Sequence, residues 1–77
     1  MAFEVRVVNE DDRGVEGVSV VLSFGGATRG PTEPEYTDAD GYAVFDAYDD
    51  GDVTVYLNGA DYGRHHYQDG EAISITQ

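Results

Sequence analysis

The organisation of this chain follows from residues 37–46, which read Thr37-Asp38-Ala39-Asp40-Gly41-Tyr42-Ala43-Val44-Phe45-Asp46. The first half predicts a tight reversal, because Asp side chains accept hydrogen bonds from downstream N–H groups and glycine tolerates positive φ. The second half predicts a strand, because aromatic and β-branched residues favour extended backbone. Side chains alternate along a strand, so Ala43 and Phe45 should share one face and Tyr42 and Val44 the other.

Other short strands are predicted on both sides of this one, each with alternating apolar and polar residues or a β-branched run. They span residues 3–8, 19–24, 35–37, 42–47, 53–57, 64–67 (as a strand or a loop) and 72–76. Their alternate apolar residues, such as Phe3, Val20 and Val55, should share one inward face of each strand. The connections are rich in Gly, Asp, Asn and Pro, including a long loop at 25–34 and the hairpin signal Asn58-Gly59. No segment has helical periodicity. We therefore expect one all-β domain over residues 1–77, an Ig-like or prealbumin-like antiparallel β-sandwich of about seven short strands.

The size of the chain, 77 residues, is near the lower limit for a domain that folds on its own core. It has no cysteine, so neither a disulfide nor a thiolate metal site is expected. No run approaches the roughly 20 apolar residues of a membrane span, and no signal peptide is visible at the N-terminus. We expect a complete small protein or a domain excised from a longer one; its location is open, with an extracellular or cell-surface location favoured for an excised domain.

The net charge of -12 is the most unusual property of the sequence. Sixteen acidic residues are set against four arginines, and there is no lysine. A field of that sign repels phosphate backbones and anionic lipids, so nucleic-acid partners and membrane insertion are not expected. Three explanations stay open: a solubilising surface that prevents edge-to-edge aggregation, adaptation to high salt, and binding of divalent cations.

Three motifs together resemble the carboxypeptidase regulatory-like, transthyretin-related family of β-sandwich domains. They are Val-Glu-Gly-Val-Ser-Val at 15–20, Thr-Asp-Ala-Asp-Gly at 37–41 and Asp-Gly-Asp-Val-Thr-Val at 50–55. The resemblance implies a non-catalytic accessory, adhesion or stalk module. Ala43 and Val53 stand where the family often has an aromatic residue, which implies a lighter core. Related surface domains carry a Lys-Asn isopeptide crosslink, which a chain without lysine cannot form.

A candidate cation site is formed by Asp38 and Asp40, which with Gly41 are similar to the start of a calcium loop. The alternative is that the Asp side chains cap their own turn by bonding to its backbone. Ca²⁺ is the only cofactor that the sequence suggests, and otherwise none is expected.

A candidate binding surface combines the only locally cationic segment, residues 64–67, with the tyrosines. Neighbouring histidines on a strand point to opposite sides, so His65 and His66 cannot easily share a metal. Tyrosines at outward or loop positions suit protein interfaces and sugar stacking, although cross-strand packing is the alternative. The predicted surface consists of Tyr42, Tyr56, Tyr62, Arg64, His65, His66 and Tyr67.

No nucleophile and base occur at a meaningful spacing, so an enzyme is not expected. The sequence favours a non-catalytic accessory, adhesion or structural-assembly module that acts through contacts with a protein or a carbohydrate. The alternatives are a calcium-dependent binding domain that uses the Asp-rich loops, or a small decoration protein of a virion or surface assembly. The sequence makes no prediction of the oligomeric state.

Overall fold

The computed structural model describes residues 2–25, 30–46, 48 and 50–77, and in this part of the chain it contains seven strands and no helix. The strands are β1 (Phe3–Val8), β2 (Ser19–Phe24), β3 (Glu35–Tyr36), β4 (Tyr42–Phe45), β5 (Gly51–Leu57), β6 (Ala60–Tyr67) and β7 (Ala72–Thr76). They form a three-stranded sheet, in the order β4-β1-β7, and a four-stranded sheet, in the order β3-β2-β5-β6. The predicted all-β sandwich is confirmed. Within the described ranges no helix could cross a membrane.

One strand pair departs from the predicted antiparallel arrangement. β1 and β7 run parallel, with Val5 opposite Ile73 and Val7 opposite Ile75. The other four strand pairs are antiparallel. The first and last strands therefore lie side by side, and the strands between them supply the long crossover that a parallel pair requires. Only the four-stranded sheet is purely antiparallel.

The core lies between the two sheets and is built from the inward side of each alternating strand. The predicted inward residues of β1, β2, β4 and β5 are all buried, because one face of each strand packs against the opposite sheet. At one end the core is aromatic: the Tyr67 ring lies 4.7 Å from that of Phe3 and 5.4 Å from that of Phe24, centroid to centroid. The buried cluster consists of Phe3, Val5, Val7, Val18, Val20, Leu22, Phe24, Ala43, Phe45, Val53, Val55, Leu57, Tyr67 and Ile75.

Residues 37–41 carry the chain from the four-stranded to the three-stranded sheet. The Asp38 carboxylate accepts hydrogen bonds from the N–H groups of Asp40, at 2.9 Å, and Tyr42, at 3.0 Å. The Gly41 N–H donates to the Asp38 carbonyl at 2.9 Å, and Gly41 has a φ of 88°. The predicted tight reversal, with Asp bonding its own backbone and glycine in the left-handed region, is confirmed.

The buried Thr37 fixes this crossing to the segment before β2. Its hydroxyl donates to the Val15 carbonyl and accepts from the Val18 N–H, the latter at 2.9 Å. Its backbone N–H donates to the Val18 carbonyl at 3.0 Å. Because both the side chain and the backbone of Thr37 are bonded to 15–18, the entry to β2 and the exit from β3 are held together.

The β5–β6 hairpin turns at Asn58 and Gly59, whose φ angles of 51° and 86° are both positive, as a two-residue type I′ turn requires. The predicted hairpin is confirmed, but its second strand begins at Ala60, earlier than 64. A register shift between Thr54 and Tyr56 marks a β-bulge in this hairpin. Gly63, at φ 98°, lies at the shift and lets the strand continue through it.

Candidate functional site

The residues predicted to form one binding surface are distributed over both sheets and the core. Arg64 and His66 are exposed on β6, and Tyr56 is half-buried on β5. Tyr42 lies on β4 of the other sheet. Tyr62 is half-buried and packs against the core cluster.

Tyr67 was predicted on the surface, and this prediction is wrong. The side chain is 0 % exposed and lies among the aromatic rings at one end of the core. The cause is the bulge, at which Tyr62 and Gly63 together span the position opposite Val55. Counted from the turn without a bulge, alternation would point residue 67 outward, and the extra residue reverses it. The Tyr67 hydroxyl donates to the Phe45 carbonyl at 3.4 Å, and its burial raises the pKa of this hydroxyl.

Tyr42 belongs to a separate surface on the three-stranded sheet. It lies opposite Arg6 of β1, whose guanidinium carbon is 5.5 Å from the centre of the tyrosine ring. The Arg6 Nε also donates to the Asp40 carbonyl at 3.4 Å. This cation–π contact fixes Arg6 over β4 and covers one side of Tyr42. Because β4 and β6 belong to different sheets, Tyr42 does not contribute to the surface around Arg64.

The residues that do come together lie on the outward side of β5 and β6. The pairing places Asp52 opposite His66 and Thr54 opposite Arg64, and Tyr56 follows two residues later on the same side. The His66 Nδ1 is 3.2 Å from a carboxylate oxygen of Asp52, and both side chains are exposed. His65 is half-buried and opposite the buried Val53, so the predicted opposite orientation of the two histidines is confirmed.

The sequence prediction missed Tyr36, which at 67 % is the most exposed large hydrophobic residue in the described part of the chain. It pairs with Ser19 at the start of β2. A two-residue strand shows no alternation, but the buried Thr37 that follows is a signal that Tyr36 points outward. The outward side chains of the four-stranded sheet form the surface that we call the β3–β6 face: Tyr36, Ser19, Val21, Tyr56, Asp61, Ser23, Thr54, Arg64, Asp52 and His66.

The relief of this surface has a simple origin. Small side chains on β2, Ser19, Val21 and Ser23, lie between the tyrosines of β3 and β5. Tyr36 and Tyr56 therefore stand on either side of a low strip. At the other end, a shallow groove at the edge of β6 is lined by Asp52, Arg64, His65 and His66. The face thus offers two aromatic rings and, at one corner, the guanidinium of Arg64 beside the Asp52–His66 pair.

The predicted cation site lies elsewhere, in the turn between the sheets. One carboxylate oxygen of Asp38 is already occupied by two backbone N–H groups. Asp52, in the next Asp-rich segment, does not belong to this turn. It lies on β5, which follows the end of β4 that is farther from the turn. Among the described residues, no group of three or more His, Cys, Asp or Glu side chains could hold a metal ion. The hydrogen bonds support the capping role of Asp38, and calcium binding stays a prediction.

Replacing Asp38 with alanine should lower the free energy of unfolding by about 1–2 kcal/mol, because two backbone N–H groups lose their acceptor at an exposed turn. Replacing Asp40, whose side chain has no such role in the turn, should change it by less than about 0.5 kcal/mol. Thermal unfolding with and without millimolar calcium measures both effects. If calcium raised the melting temperature of the wild type but of neither variant, the carboxylates would be cation ligands and not only caps.

Comparison with protein-family models and with curated proteins found no match to the chain. The resemblance to carboxypeptidase regulatory-like domains therefore stays a prediction. What the structure establishes is the all-β, two-sheet architecture. The function has to be argued from the chemistry of the surface.

Proposed function

We propose that this chain is a non-catalytic protein-contact module, an accessory or structural-assembly domain that binds its partner through the β3–β6 face. The observation that carries the proposal is the grouping of Tyr36, Tyr56 and Arg64 on one open sheet face. Tyrosine and arginine are the residue types most enriched among the side chains that dominate binding energy at protein interfaces. Decoration of a larger assembly, such as a virion or a surface layer, is one form of this role.

The shape of the face favours a protein over a small ligand. Small ligands bind in concave sites that enclose most of their surface. Here the small β2 side chains Ser19, Val21 and Ser23 lie half-buried between Tyr36 and Tyr56, a low strip that suits a ridge or loop of another protein. The rings supply apolar area with polar tips, so they pack well without a deep pocket.

Arg64 defines the chemistry of the partner at one end of the contact. An arginine pairs with a carboxylate through two parallel hydrogen bonds. Arg64 lies beside His66 on a chain whose net charge is -12. It is therefore one of the few positive groups on a surface that otherwise repels carboxylates. A partner with a carboxylate opposite Arg64 and apolar groups over the tyrosines would match this face.

The test is retention of a partner on the immobilised chain from an extract of the cells that produce it. A face variant carries Tyr36→Ser, Tyr56→Ser and Arg64→Ser, and a matched control carries Tyr42→Ser and Val44→Ser on the opposite sheet. We expect the wild type and the control to retain the same protein and the face variant to retain at least tenfold less. Circular dichroism confirms that each variant is folded. Equal retention by all three, or retention that disappears when glycans are removed from the extract, would overturn the proposal.

A further inference from the structure

The second feature that suggests a binding role is the free edge of β7, on the other sheet. β7 is the last strand of the three-stranded sheet and pairs only with β1. The Glu4 N–H donates to the Glu71 carbonyl at 3.1 Å, and the Gln77 N–H donates to the Val8 carbonyl at 2.8 Å. In a parallel pair, alternate residues direct both backbone groups to the same side. The backbone N–H and C=O groups of residues 71, 73, 75 and 77 therefore point toward β1. Those of residues 72, 74 and 76 point away from β1, to the free edge of the sheet.

The backbone groups on this outward side are accessible. Ala72, Ser74 and Thr76 are all exposed, and in the described structure none of them bonds to a further strand. Three N–H and three C=O groups are thus aligned along one edge with the spacing of an unfilled ladder. Such an edge is a template for another strand.

The other sheet edges offer shorter or interrupted rows of free backbone groups than β7 does. On β4, both backbone groups of Tyr42 are bonded to Asp38, through the carboxylate and the backbone N–H. β3 has only two residues, and β6 is interrupted by the bulge and carries Arg64 and His66. Short strands, bulges and charges are the usual means of blocking edge pairing. β7 reads Ala-Ile-Ser-Ile-Thr and has none of them.

The surroundings of β7 are acidic at both ends. Glu71 precedes the strand, and Glu4 lies opposite Ala72 on the outward side of β1. At the other end Thr76 lies opposite Val8, and the chain continues through Asn9 into a loop with the exposed acidic residues 10–12 and Arg13. This loop lies at the end of β1, and its return segment, 14–15, pairs with β1 on the side away from β7. The one outward cation of β1, Arg6, is directed toward Tyr42 and away from β7. The edge is therefore an uncharged strip with carboxylates at one end and a loop of net negative charge beyond the other.

We propose that β7 binds an extended segment of a partner protein as an added strand, and that this segment has short β-branched residues at its centre and lysine or arginine at both ends. Backbone hydrogen bonds to 72, 74 and 76 would provide the affinity, and the flanking carboxylates the selectivity. Charge decides the occupant: a second copy of this chain would bring another net charge of -12 to strand-pairing distance, whereas a basic segment is attracted. The site lies on the sheet opposite the β3–β6 face and does not depend on it.

The test uses a synthetic peptide, Val-Thr-Val-Thr-Val with two lysines at each end, titrated into the isotopically labelled chain and followed by NMR. Two control peptides replace the lysines with glutamates or N-methylate the backbone of alternate residues. We expect shifts centred on residues 72–76 with the lysine peptide, at least tenfold weaker binding of either control, and weaker binding as salt screens the charges.

Two variants of one residue separate backbone pairing from side-chain contact. Ser74→Pro removes an outward N–H, and proline is tolerated on an edge strand, whereas Ser74→Ala keeps this donor. We expect the former to bind the peptide at least tenfold more weakly and the latter to bind like the wild type. If the N-methylated peptide bound as tightly as the lysine peptide, the binding would be charge attraction without strand pairing, and the proposal would be overturned. The absence of NMR shifts at residues 72–76 with millimolar lysine peptide would overturn it too. A wild-type dimer that Ser74→Pro abolishes would identify a second copy as the occupant and would also overturn it.

Discussion

Replacing Gly41 with alanine should lower the free energy of unfolding by about 3–5 kcal/mol, which is a large part of the stability of so small a domain. Two penalties combine at this position. A φ of 88° disfavours any residue with a Cβ, at a cost of about 1–2 kcal/mol. In addition, the new Cβ would overlap the Val7 carbonyl oxygen and lie 2.8 Å from the Cα of Gly14. These are backbone atoms of packed segments, so they cannot rotate away.

Two other glycines provide matched controls for the two penalties. Gly59 has a φ of 86°, but nothing lies within 4 Å of its added Cβ, so Gly59→Ala should cost only the conformational part, about 1–2 kcal/mol. Gly14 does not have a positive φ, but its Cβ would overlap the Asp40 carbonyl, so Gly14→Ala isolates the steric part. Urea denaturation followed by circular dichroism measures all three. If Gly41→Ala lost no more free energy of unfolding than Gly59→Ala, the backbone around Gly41 would accommodate a methyl group without a steric penalty.

The parts of the fold that local pattern encodes were predictable from the sequence. β1, β2 and β7 have the predicted bounds, because each is a run of five or six residues with alternating apolar side chains between turn residues. The inward positions of Phe3, Val20 and Phe45 followed from alternation alone. The Asp38 turn was predictable too, since an Asp that bonds its own backbone needs only the residues next to it.

The parts that depend on which segments meet were not predictable. Nothing in β1 or β7 indicates that they pair in parallel, and nothing in the sequence around Gly14 indicates that it packs on Gly41. The candidate surface failed where local structure was irregular. The bulge at Gly63 reversed the orientation of Tyr67, and the two residues of β3 were too few to show that Tyr36 points outward. Arg64 and His66 are exposed on β6, as predicted, and Tyr56 is half-buried on β5; their binding role stays a prediction.

Replacing Tyr67 with alanine should lower the free energy of unfolding by about 3–5 kcal/mol, because a fully buried aromatic ring leaves a large cavity. The ring packs on Phe3 and Phe24 and lies 6.0 Å from the ring of Tyr48, edge to face. Tyr36→Ala is the matched control at an exposed tyrosine and should cost less than about 0.5 kcal/mol. Thermal and urea unfolding measure both. A loss below about 1 kcal/mol for Tyr67→Ala would mean that this ring is not part of the core.

The hydroxyl of Tyr67 adds a pH dependence that separates its burial from the packing of its ring. Burial raises the pKa of this group above the usual tyrosine value of about 10. Above that pH the unfolded chain loses the Tyr67 proton while the folded chain keeps it, so the free energy of unfolding falls as the pH rises from about 10 through the folded-state pKa. Tyr67→Phe keeps the ring and removes the titration. It should cost about 1 kcal/mol at pH 7, through the hydrogen bond to Phe45, and this deficit should shrink or reverse above pH 10. Urea denaturation of the wild type and of Tyr67→Phe from pH 7 to 11 tests this. If the free energy of unfolding fell equally in both proteins above pH 10, the ionisation responsible would belong to other groups.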